Sequence, residues 1–238
     1  LYLGYPHPRI TGEAYDELID EFVMAVKKLY PGVLLQFEDF LTPNAYKLLN
    51  RYKNKILCFN DDIQGTASVA LAGVLASCKI TGKEFKDLKV MFLGAGSAAT
   101  GIADLLKSAL MKHGLSEKEA LKRLNFCDID GLLVKGRKGL MEHNLPYAHD
   151  MNSIPFKEAI STLEPDVLIG ATGSGGTFDQ EVIEAMSKVN ERPVIFALSN
   201  PTSKAECTAE QAYSWSDGKA IFVSGSPFNP VEYKGKTL

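Results

Sequence analysis

The sequence has few of the features that mark several large classes of protein. Its four cysteines are scattered without a CxxC pair, which argues against a disulfide framework and a zinc site and favours a reducing compartment. The net charge of −3 provides no field that would attract nucleic acid or an anionic membrane. The apolar run "SVALAGVLASC" is too short to cross a bilayer. Small molecules are therefore the expected partners, with neither nucleic acid nor membrane among them.

The chain alternates apolar strand-like runs with helical patterns. Of its 238 residues, 45% are hydrophobic and 23% are charged, which is enough apolar content to bury a core. This alternation predicts an α/β, Rossmann-like, doubly wound and mostly parallel sheet with helices on both faces. Thr42 and Pro43 are predicted as the N-cap and the first residue of the second helix. The predicted strands occupy residues 33–37, 55–59, 89–96, 124–130, 166–173, 193–200 and 220–228. Helices are predicted at 12–30, 44–52, 64–79 and 180–189. Three more helices are predicted to begin near residue 98 and after the capping residues Ser116 and Thr208.

The segment "FLGAGSAATG" carries a phosphate-binding pattern. Gly94, Gly96 and Ala99 fit G-x-G-x-x-[GA] between a predicted strand and a predicted helix, the context that makes this pattern informative. Gly94 allows a tight turn, Gly96 allows a pyrophosphate to approach the backbone, and the N–H groups that start the helix attract the anion. An ordinary strand-to-helix turn is the alternative. We predict that Gly94, Gly96, Ser97, Ala98 and Ala99 bind a dinucleotide.

Asp128, at the end of the next predicted strand, is the expected acceptor for a ribose hydroxyl. It lies farther along the chain than the usual distance of about 20 residues, because an extra helix intervenes. Asp128 and Asp130 would repel a 2′-phosphate, which favours NAD, with NADP as the alternative. Lys135, Arg137 and Lys138 follow closely and are interpreted as surface charge rather than as phosphate ligands.

Two pairs of adjacent carboxylates each follow an apolar run. Glu38 and Asp39 follow "VLLQF", and Asp61 and Asp62 come shortly after "KILCF". Ligands of open α/β sheets lie beyond the carboxyl ends of the strands, so parallel neighbours would bring the pairs together. Four carboxylates would repel one another there unless some are protonated or a cation lies between them. Oxygen ligands suit Mg²⁺ or Mn²⁺. For any single one of these side chains, a helix cap or a solvated loop is the alternative.

Two further patterns are less specific. The glycine-rich segment "GATGSGGTF", from Gly170 to Gly176, ends a predicted strand at the same sheet edge and is expected to line the cofactor groove, with a mobile loop as the alternative. The four histidines are interpreted as ordinary surface or loop residues; they are His7, His113, His143 and His149.

The motifs "LLQFEDF", "FNDDIQGTA", "FLGAGSAATGIA", "ALSNPT" and "SGSPFNPV" resemble those of malic enzymes in order and spacing. The resemblance extends over essentially the whole chain. It implies an enzyme that oxidises L-malate with NAD⁺ or NADP⁺ and decarboxylates the product to pyruvate and CO₂. It also implies a homodimer or homotetramer. The reducing compartment is expected to be the cytoplasm or the mitochondrial matrix, with the cytoplasm slightly favoured.

The resemblance implies roles for individual residues. Glu38, Asp39 and Asp62 are implied to be the ligands of Mg²⁺ or Mn²⁺, with Asp62 also close to the nicotinamide. Asp61 is implied to be a carboxylate of the catalytic site that lies next to these ligands without binding the cation itself. Asn200 in "SNPT" is implied to contact both the substrate and the nicotinamide. A cation bound to the hydroxyl and carboxylate of malate would act as a Lewis acid.

The resemblance also implies a division of the chain. Residues 1–60 are expected to form a helix and strand segment that carries part of the metal site and packs onto the main domain. Residues 61–238 are expected to form the dinucleotide-binding domain, incomplete at both ends relative to the family. The family takes its arginine and its lysine–tyrosine proton-transfer pair from an N-terminal segment outside this sequence, so the chain alone is expected to bind nucleotide without turning over malate. A malolactic-type enzyme that releases lactate and a non-catalytic dinucleotide-binding module are the alternatives.

Overall fold

The chain folds into two compact units. The structure is a computed structural model that describes residues 7–238, apart from the side chain of Thr42. The first unit ends at Asn60, and the second runs from Asp61 to Leu238. Buried apolar side chains form one cluster in the first unit and two larger clusters in the second.

The first unit is built from two helices and two short strands. The strands pair in parallel, with Phe37 opposite Asn60. Val23, Phe37, Leu48 and Tyr52 form its buried core, because the apolar faces of both helices pack against this pair of strands. The elements are α1 (Glu13–Leu29), β1 (Leu35–Phe37), α2 (Thr42–Tyr52) and β2 (Cys58–Asn60).

Helix α2 begins one residue earlier than predicted. Leu41 holds the N-cap position, so Thr42 is the first helical residue and the prediction of Thr42 as N-cap is wrong. Pro43 is then the second helical residue rather than the first. The shift is tolerated because the N–H groups of the first helical turn have no acceptor within the helix, so proline loses no hydrogen bond there.

The second unit opens with a π-helical turn, Asp61–Gly65, that leads directly into a long helix. Its helices are α3 (Thr66–Thr81), α4 (Ser97–Lys112), α5 (Glu117–Lys122), α6 (Phe156–Leu163), α7 (Gln180–Val189) and α8 (Ala209–Trp215). Its strands are β3 (Val90–Leu93), β4 (Leu124–Asp128), β5 (Gly131–Leu132), β6 (Val167–Gly170), β7 (Val194–Ala197), β8 (Ile221–Ser224), β9 (Glu232–Tyr233) and β10 (Lys236–Thr237).

Six strands form one twisted sheet in the order β5-β4-β3-β6-β7-β8, and β9 pairs with β10 in a separate hairpin. All neighbours in the six-stranded sheet are parallel except β4 and β5. Alternate residues of β3 face opposite layers: Val90 and Phe92 pack with α3 and α4, whereas Met91 and Leu93 pack with α6 and α7. Helices therefore cover both faces, and the predicted Rossmann-like fold is confirmed.

One helical segment is longer and more apolar than the sequence-based estimate allowed. Counted with its π turn, the segment Asp61–Thr81 has 21 residues and meets the length and composition criteria for crossing a membrane. It is the only such segment in the described part of the chain. One face of the segment, with Ala67, Ala70 and Val74, packs in the core of the second unit, whereas Val69, Leu75 and Ile80 are exposed.

Candidate dinucleotide-binding site and carboxylate motifs

The second unit has a topological switch point between β3 and β6. The chain passes from β3 to β4 on one side, whereas β6, β7 and β8 continue on the other side. Open α/β sheets bind ligands in the crevice at the carboxyl ends of the strands where this order reverses. The two glycine-rich segments follow these two strands. We call Gly94–Ala99 the first glycine turn and Gly170–Gly176 the second glycine loop.

Gly94 makes the first glycine turn possible. Its φ is +104°, a backbone conformation that residues with a Cβ rarely adopt. A Cβ at this position would lie 2.4 Å from the carbonyl oxygen of Ala171, which belongs to the second glycine loop. The Gly94 N–H donates to the carbonyl of Cys127 at 2.9 Å, which extends the sheet into the turn. Conformation and close approach both require glycine here, as the motif predicts.

Gly96 leaves space at the start of α4. It holds the N-cap position with φ −82° and ψ −173°, and a Cβ there would meet no atom within 4 Å. Because glycine has no side-chain oxygen, it cannot cap the N–H groups of the first helical turn, and these favour an anion. Ser97 and Ala98 begin the helix, and Ala99 is fully buried, which lets the helix approach the sheet. This arrangement fits the pyrophosphate of a dinucleotide.

Side chains from a distant segment support the first glycine turn. Asn144 lies in a short 3₁₀ segment, is 4% exposed, and donates from Nδ2 to the carbonyl of Ala95 at 3.2 Å. Its Oδ1 accepts from the hydroxyl of Thr100 at 3.2 Å. His143 Nε2 lies 3.3 Å from the same Ala95 carbonyl. His143 is half-buried in the segment between β5 and α6, and no feature of the sequence "MEHNLPY" indicated this support.

Asp128 lies at the end of β4, as predicted, and has a cationic partner. Arg137 donates from Nη2 to Asp128 Oδ2 at 2.5 Å and to Asp130 Oδ2 at 3.1 Å. The hydrogen bond to Asp128 raises the pKa of Arg137 above its ordinary value. The Arg137 side chain is only 18% exposed, so its interpretation as bland surface charge is wrong. The spacing of these residues in the sequence could not reveal the ion pair, because antiparallel β5 reverses the chain and brings position 137 back beside position 128.

The second glycine loop is joined to the loop after β7 by a buried carboxylate. Glu206 is 0% exposed. Its Oε1 accepts from the Thr172 N–H at 2.9 Å and from the Ser199 hydroxyl at 2.5 Å, and its Oε2 accepts from the Ser199 N–H at 3.2 Å. The Gly173 N–H donates to the Ser199 hydroxyl at 2.9 Å. Asn200 follows in this loop and is exposed. Sequence reasoning missed Glu206, because an isolated Glu in "KAECTAE" has no pattern that distinguishes it from a surface residue.

The candidate metal ligands come in the chain shortly after β1 and β2, as expected, but they belong to different units. Glu38 and Asp39 are exposed in the first unit, and Asp39 has a left-handed φ of +63°. Asp62 is half-buried in the π turn that opens the second unit. Among the residues that the structure describes, no group of three or more His, Cys, Asp or Glu side chains is gathered closely enough to hold a metal ion. The ligand set of Glu38, Asp39 and Asp62 therefore stays a prediction.

The carboxylate of Asp61 lies over the first turn of its own helical segment. A Cβ built on Gly65 would lie 1.6 Å from Asp61 Oδ1. A side chain at position 65 would therefore displace the Asp61 carboxylate from this orientation. A π-helical turn at this point is uncommon and is often found at functional sites.

Comparison with known protein families decides the assignment. A profile described as "Malic enzyme, NAD binding domain" matches residues 63–238, and a profile described as "Malic enzyme, N-terminal domain" matches residues 1–53. The chain belongs to the malic enzyme family. This confirms the resemblance of the sequence motifs, and it identifies the second unit as the part of a malic enzyme that binds a nicotinamide dinucleotide.

Individual malic enzymes are similar to this chain along its whole length. The NADP-dependent malic enzyme of Columba livia is 51% identical over 100% of this chain and 43% of that protein, and the chloroplastic NADP-dependent malic enzyme of Zea mays is 52% identical over 100% and 38%. The solved structure of an NAD-dependent malic enzyme from Thermotoga maritima gives a TM-score of 0.74 at 27% identity, over 94% of this chain and 56% of that chain. The Entamoeba histolytica malic enzyme gives 0.71 at 27% identity, over 90% and 42%. The chain spans less than half the length of these curated relatives.

Proposed function

We propose that the protein to which this chain belongs oxidises L-malate with a nicotinamide dinucleotide and decarboxylates the product to pyruvate and CO₂. The observation that carries the proposal is the first glycine turn at the switch point, in a chain that belongs to the malic enzyme family. The pyrophosphate would bind at the start of α4, where Gly96 leaves open space. Asn200 would contact the substrate and the nicotinamide from the loop after β7.

We propose that Glu38, Asp39 and Asp62 hold Mg²⁺ or Mn²⁺. The parallel pairing of β1 and β2, with Phe37 opposite Asn60, supports this, because each carboxylate pair directly follows one of these two strand ends in the chain. The left-handed φ of Asp39 supports it too, since strained backbone is concentrated at functional sites. The cation would polarise the hydroxyl and carboxylate of malate. Asp61, which Gly65 allows to lie over the π turn, would be a nearby carboxylate that does not bind the cation directly.

We propose NADP⁺ as the preferred cofactor, rather than the NAD expected from sequence. The expectation rested on repulsion of a 2′-phosphate by Asp128 and Asp130. Arg137 pairs with both carboxylates, which offsets part of that repulsion and places a guanidinium beside the ribose site. The relatives from Columba livia and Zea mays are named as NADP-dependent, which supports the same choice.

We propose a reducing compartment and a homodimer or homotetramer for the whole protein. All four cysteines are free thiols in the structure, which supports a reducing environment. The maize relative is named as a chloroplastic enzyme, so a plastid joins the cytoplasm and the mitochondrial matrix among the compartments to compare. The oligomeric state rests on the resemblance to malic enzymes.

The decisive assay uses the full-length protein that contains this sequence, with L-malate, Mn²⁺ and either NAD⁺ or NADP⁺. Reduced nucleotide and pyruvate should appear together, faster with NADP⁺. Asp62→Asn should abolish this activity because it removes a proposed metal ligand, whereas Asp150→Asn, which changes an exposed carboxylate, should not. The 238-residue chain alone should bind the dinucleotide without turnover, because the family's lysine and tyrosine are not among its motifs.

Other outcomes would identify the alternatives. Lactate with no net reduced nucleotide would show a malolactic-type reaction on the same machinery. Dinucleotide binding without any malate-dependent product, even in the full-length protein, would show a non-catalytic module and overturn the proposal. Equal activity of the parent and Asp62→Asn would remove Asp62 from the metal site.

A further inference from the structure

We propose that Glu206 is a positioning residue that holds the loops after β6 and β7 in the arrangement that receives the nicotinamide half of the dinucleotide. The inference rests on the proposed dinucleotide function of the second unit. It concerns a side chain to which no sequence motif and no resemblance gave a role.

The burial of Glu206 shows that its contacts are specific. A carboxylate taken out of water is unfavourable unless its oxygens accept hydrogen bonds. Glu206 is 0% exposed, and its partners are two backbone N–H groups and two hydroxyls, with no charged side chain among these four donors. The donors belong to Thr172 in one loop and Ser199 in the other. The carboxylate therefore joins two loops that are 27 residues apart in the chain.

The loops lie on the side of the crevice where the nicotinamide half is expected. A dinucleotide spans the switch point with one half on each side. Asp128 at the end of β4 is the expected acceptor for the adenosine ribose on one side of β3, so the other half would face β6 and β7 on the opposite side. Asn200 directly follows Ser199, whose N–H and hydroxyl both bind Glu206. A shift of the Ser199 backbone would thus carry Asn200 with it.

Packing around Glu206 leaves its side chain little freedom. A Cβ on Gly170 would lie 2.4 Å from Glu206 Cγ, so the last residue of β6 must be glycine to admit the carboxylate. The Ser199 hydroxyl donates to Glu206 and accepts from the Gly173 N–H, which ties a second point of the second glycine loop to the same group. Preorganised loops of this kind lower the entropy lost on binding.

The first glycine turn has separate support. Gly94 donates to the carbonyl of Cys127, and Asn144 donates to the carbonyl of Ala95. These hydrogen bonds do not involve Glu206. Loss of Glu206 should therefore weaken binding of the nicotinamide half while the pyrophosphate and adenosine half keep their site.

The test compares two ligands on the full-length protein that contains this chain: NADP⁺, which has both halves, and ADP, which has only the adenosine and pyrophosphate half. Glu206→Gln keeps the size of the side chain, but its NH₂ group cannot accept from Thr172 or Ser199. The dissociation constant for NADP⁺ should rise about tenfold, and that for ADP should stay within about twofold. Hydrogen exchange of the free protein should speed up at 171–177 and 198–201.

Two further variants complete the test. Glu119→Gln makes the same chemical change at an exposed helix cap that also accepts a backbone N–H and a hydroxyl, and it should leave both affinities unchanged. If Glu206→Gln fails to fold, Ser199→Ala removes one hydroxyl of the same network and should cause a smaller loss that is again confined to NADP⁺. Unchanged NADP⁺ affinity, or equal losses for NADP⁺ and ADP, in the folded variant would overturn the role of Glu206. A full-length parent protein that binds neither ligand would overturn the proposed function and this inference with it.

Discussion

The two glycine-rich strand ends of the second unit are built on different principles. At the first glycine turn, two backbone segments approach closely: Gly94 packs against the carbonyl of Ala171, and a main-chain hydrogen bond continues the sheet. At the second glycine loop, a side chain fills the space: Gly170 abuts Glu206, whose carboxylate holds the backbone. Close backbone contact requires a glycine pattern that can be read in a sequence. A side chain that joins two loops from a distant position in the sequence leaves no such pattern in the sequence.

The largest expected effect is at Gly94. Gly94→Ala would place a Cβ 2.4 Å from a backbone oxygen at a φ of +104°, and neither can adjust cheaply. Left-handed strain and overpacking together should lower the free energy of unfolding by about 4 kcal/mol. Urea denaturation of the 238-residue chain measures this. Gly96→Ala, which meets no atom within 4 Å, should cost about 1 kcal/mol or less as an N-cap change. Equal losses for the two variants would contradict the backbone contact at Gly94.

A smaller effect is expected at Gly170. Gly170→Ala would place a Cβ 2.4 Å from Glu206 Cγ and 2.8 Å from the ring of Phe178, both fully buried. Overpacking should lower the free energy of unfolding by about 2 kcal/mol, less than at Gly94 because a side chain can move further than a backbone. Gly176→Ala serves as the control: it adds left-handed strain of about 1 kcal/mol and no contact within 4 Å. A stability loss at Gly170 no larger than at Gly176 would show that the carboxylate is loosely packed.

The smallest effect concerns two buried thiols that report on the two regions. Cys127 is the next-to-last residue of β4, and its carbonyl accepts from the Gly94 N–H of the first glycine turn, whereas Cys207 follows Glu206. Burial raises the pKa of each thiol from 9.0 to about 12. At pH 8 the thiolate fraction should be about one in ten thousand, so iodoacetamide should label neither quickly. Glu206→Gln should speed the labelling of Cys207 and leave that of Cys127 unchanged. Equal acceleration at both sites would mean that the two regions open together.

The same thiols predict a dependence of stability on alkaline pH. Because their folded-state pKa values are raised, their contribution is present in full below about pH 9 and is lost as the pH rises towards about 12. Urea denaturation at several pH values should therefore show the free energy of unfolding falling as the pH rises through this window. Cys207→Ala should make the decline shallower.

Local patterns predicted most elements of the second unit. Helix α7 occupies the predicted residues 180–189, and the capping boxes at Ser116 and Thr208 are both present. These signals involve neighbours within one helical turn, so tertiary contacts were not needed to find them. Helix α6 and strand β5 were missed. Strand β5 has only two residues, too few to show periodicity. The long helix was predicted to begin at Gln64, whereas the helical segment starts earlier as a π turn in which Gly65 makes room for Asp61.

The sequence by itself determined the parallel α/β fold, the glycine positions of the first glycine turn and the family. Each depends on periodicity or on residues adjacent in the chain, where backbone conformation and spacing are directly encoded. Only the tertiary structure decided that Arg137 pairs with Asp128, that Asn144 supports the first glycine turn, and that Glu206 joins two loops. These contacts link positions separated by 9 to 49 residues. They exist because folding removes side chains from water, and buried polar groups must then find partners wherever the topology supplies them.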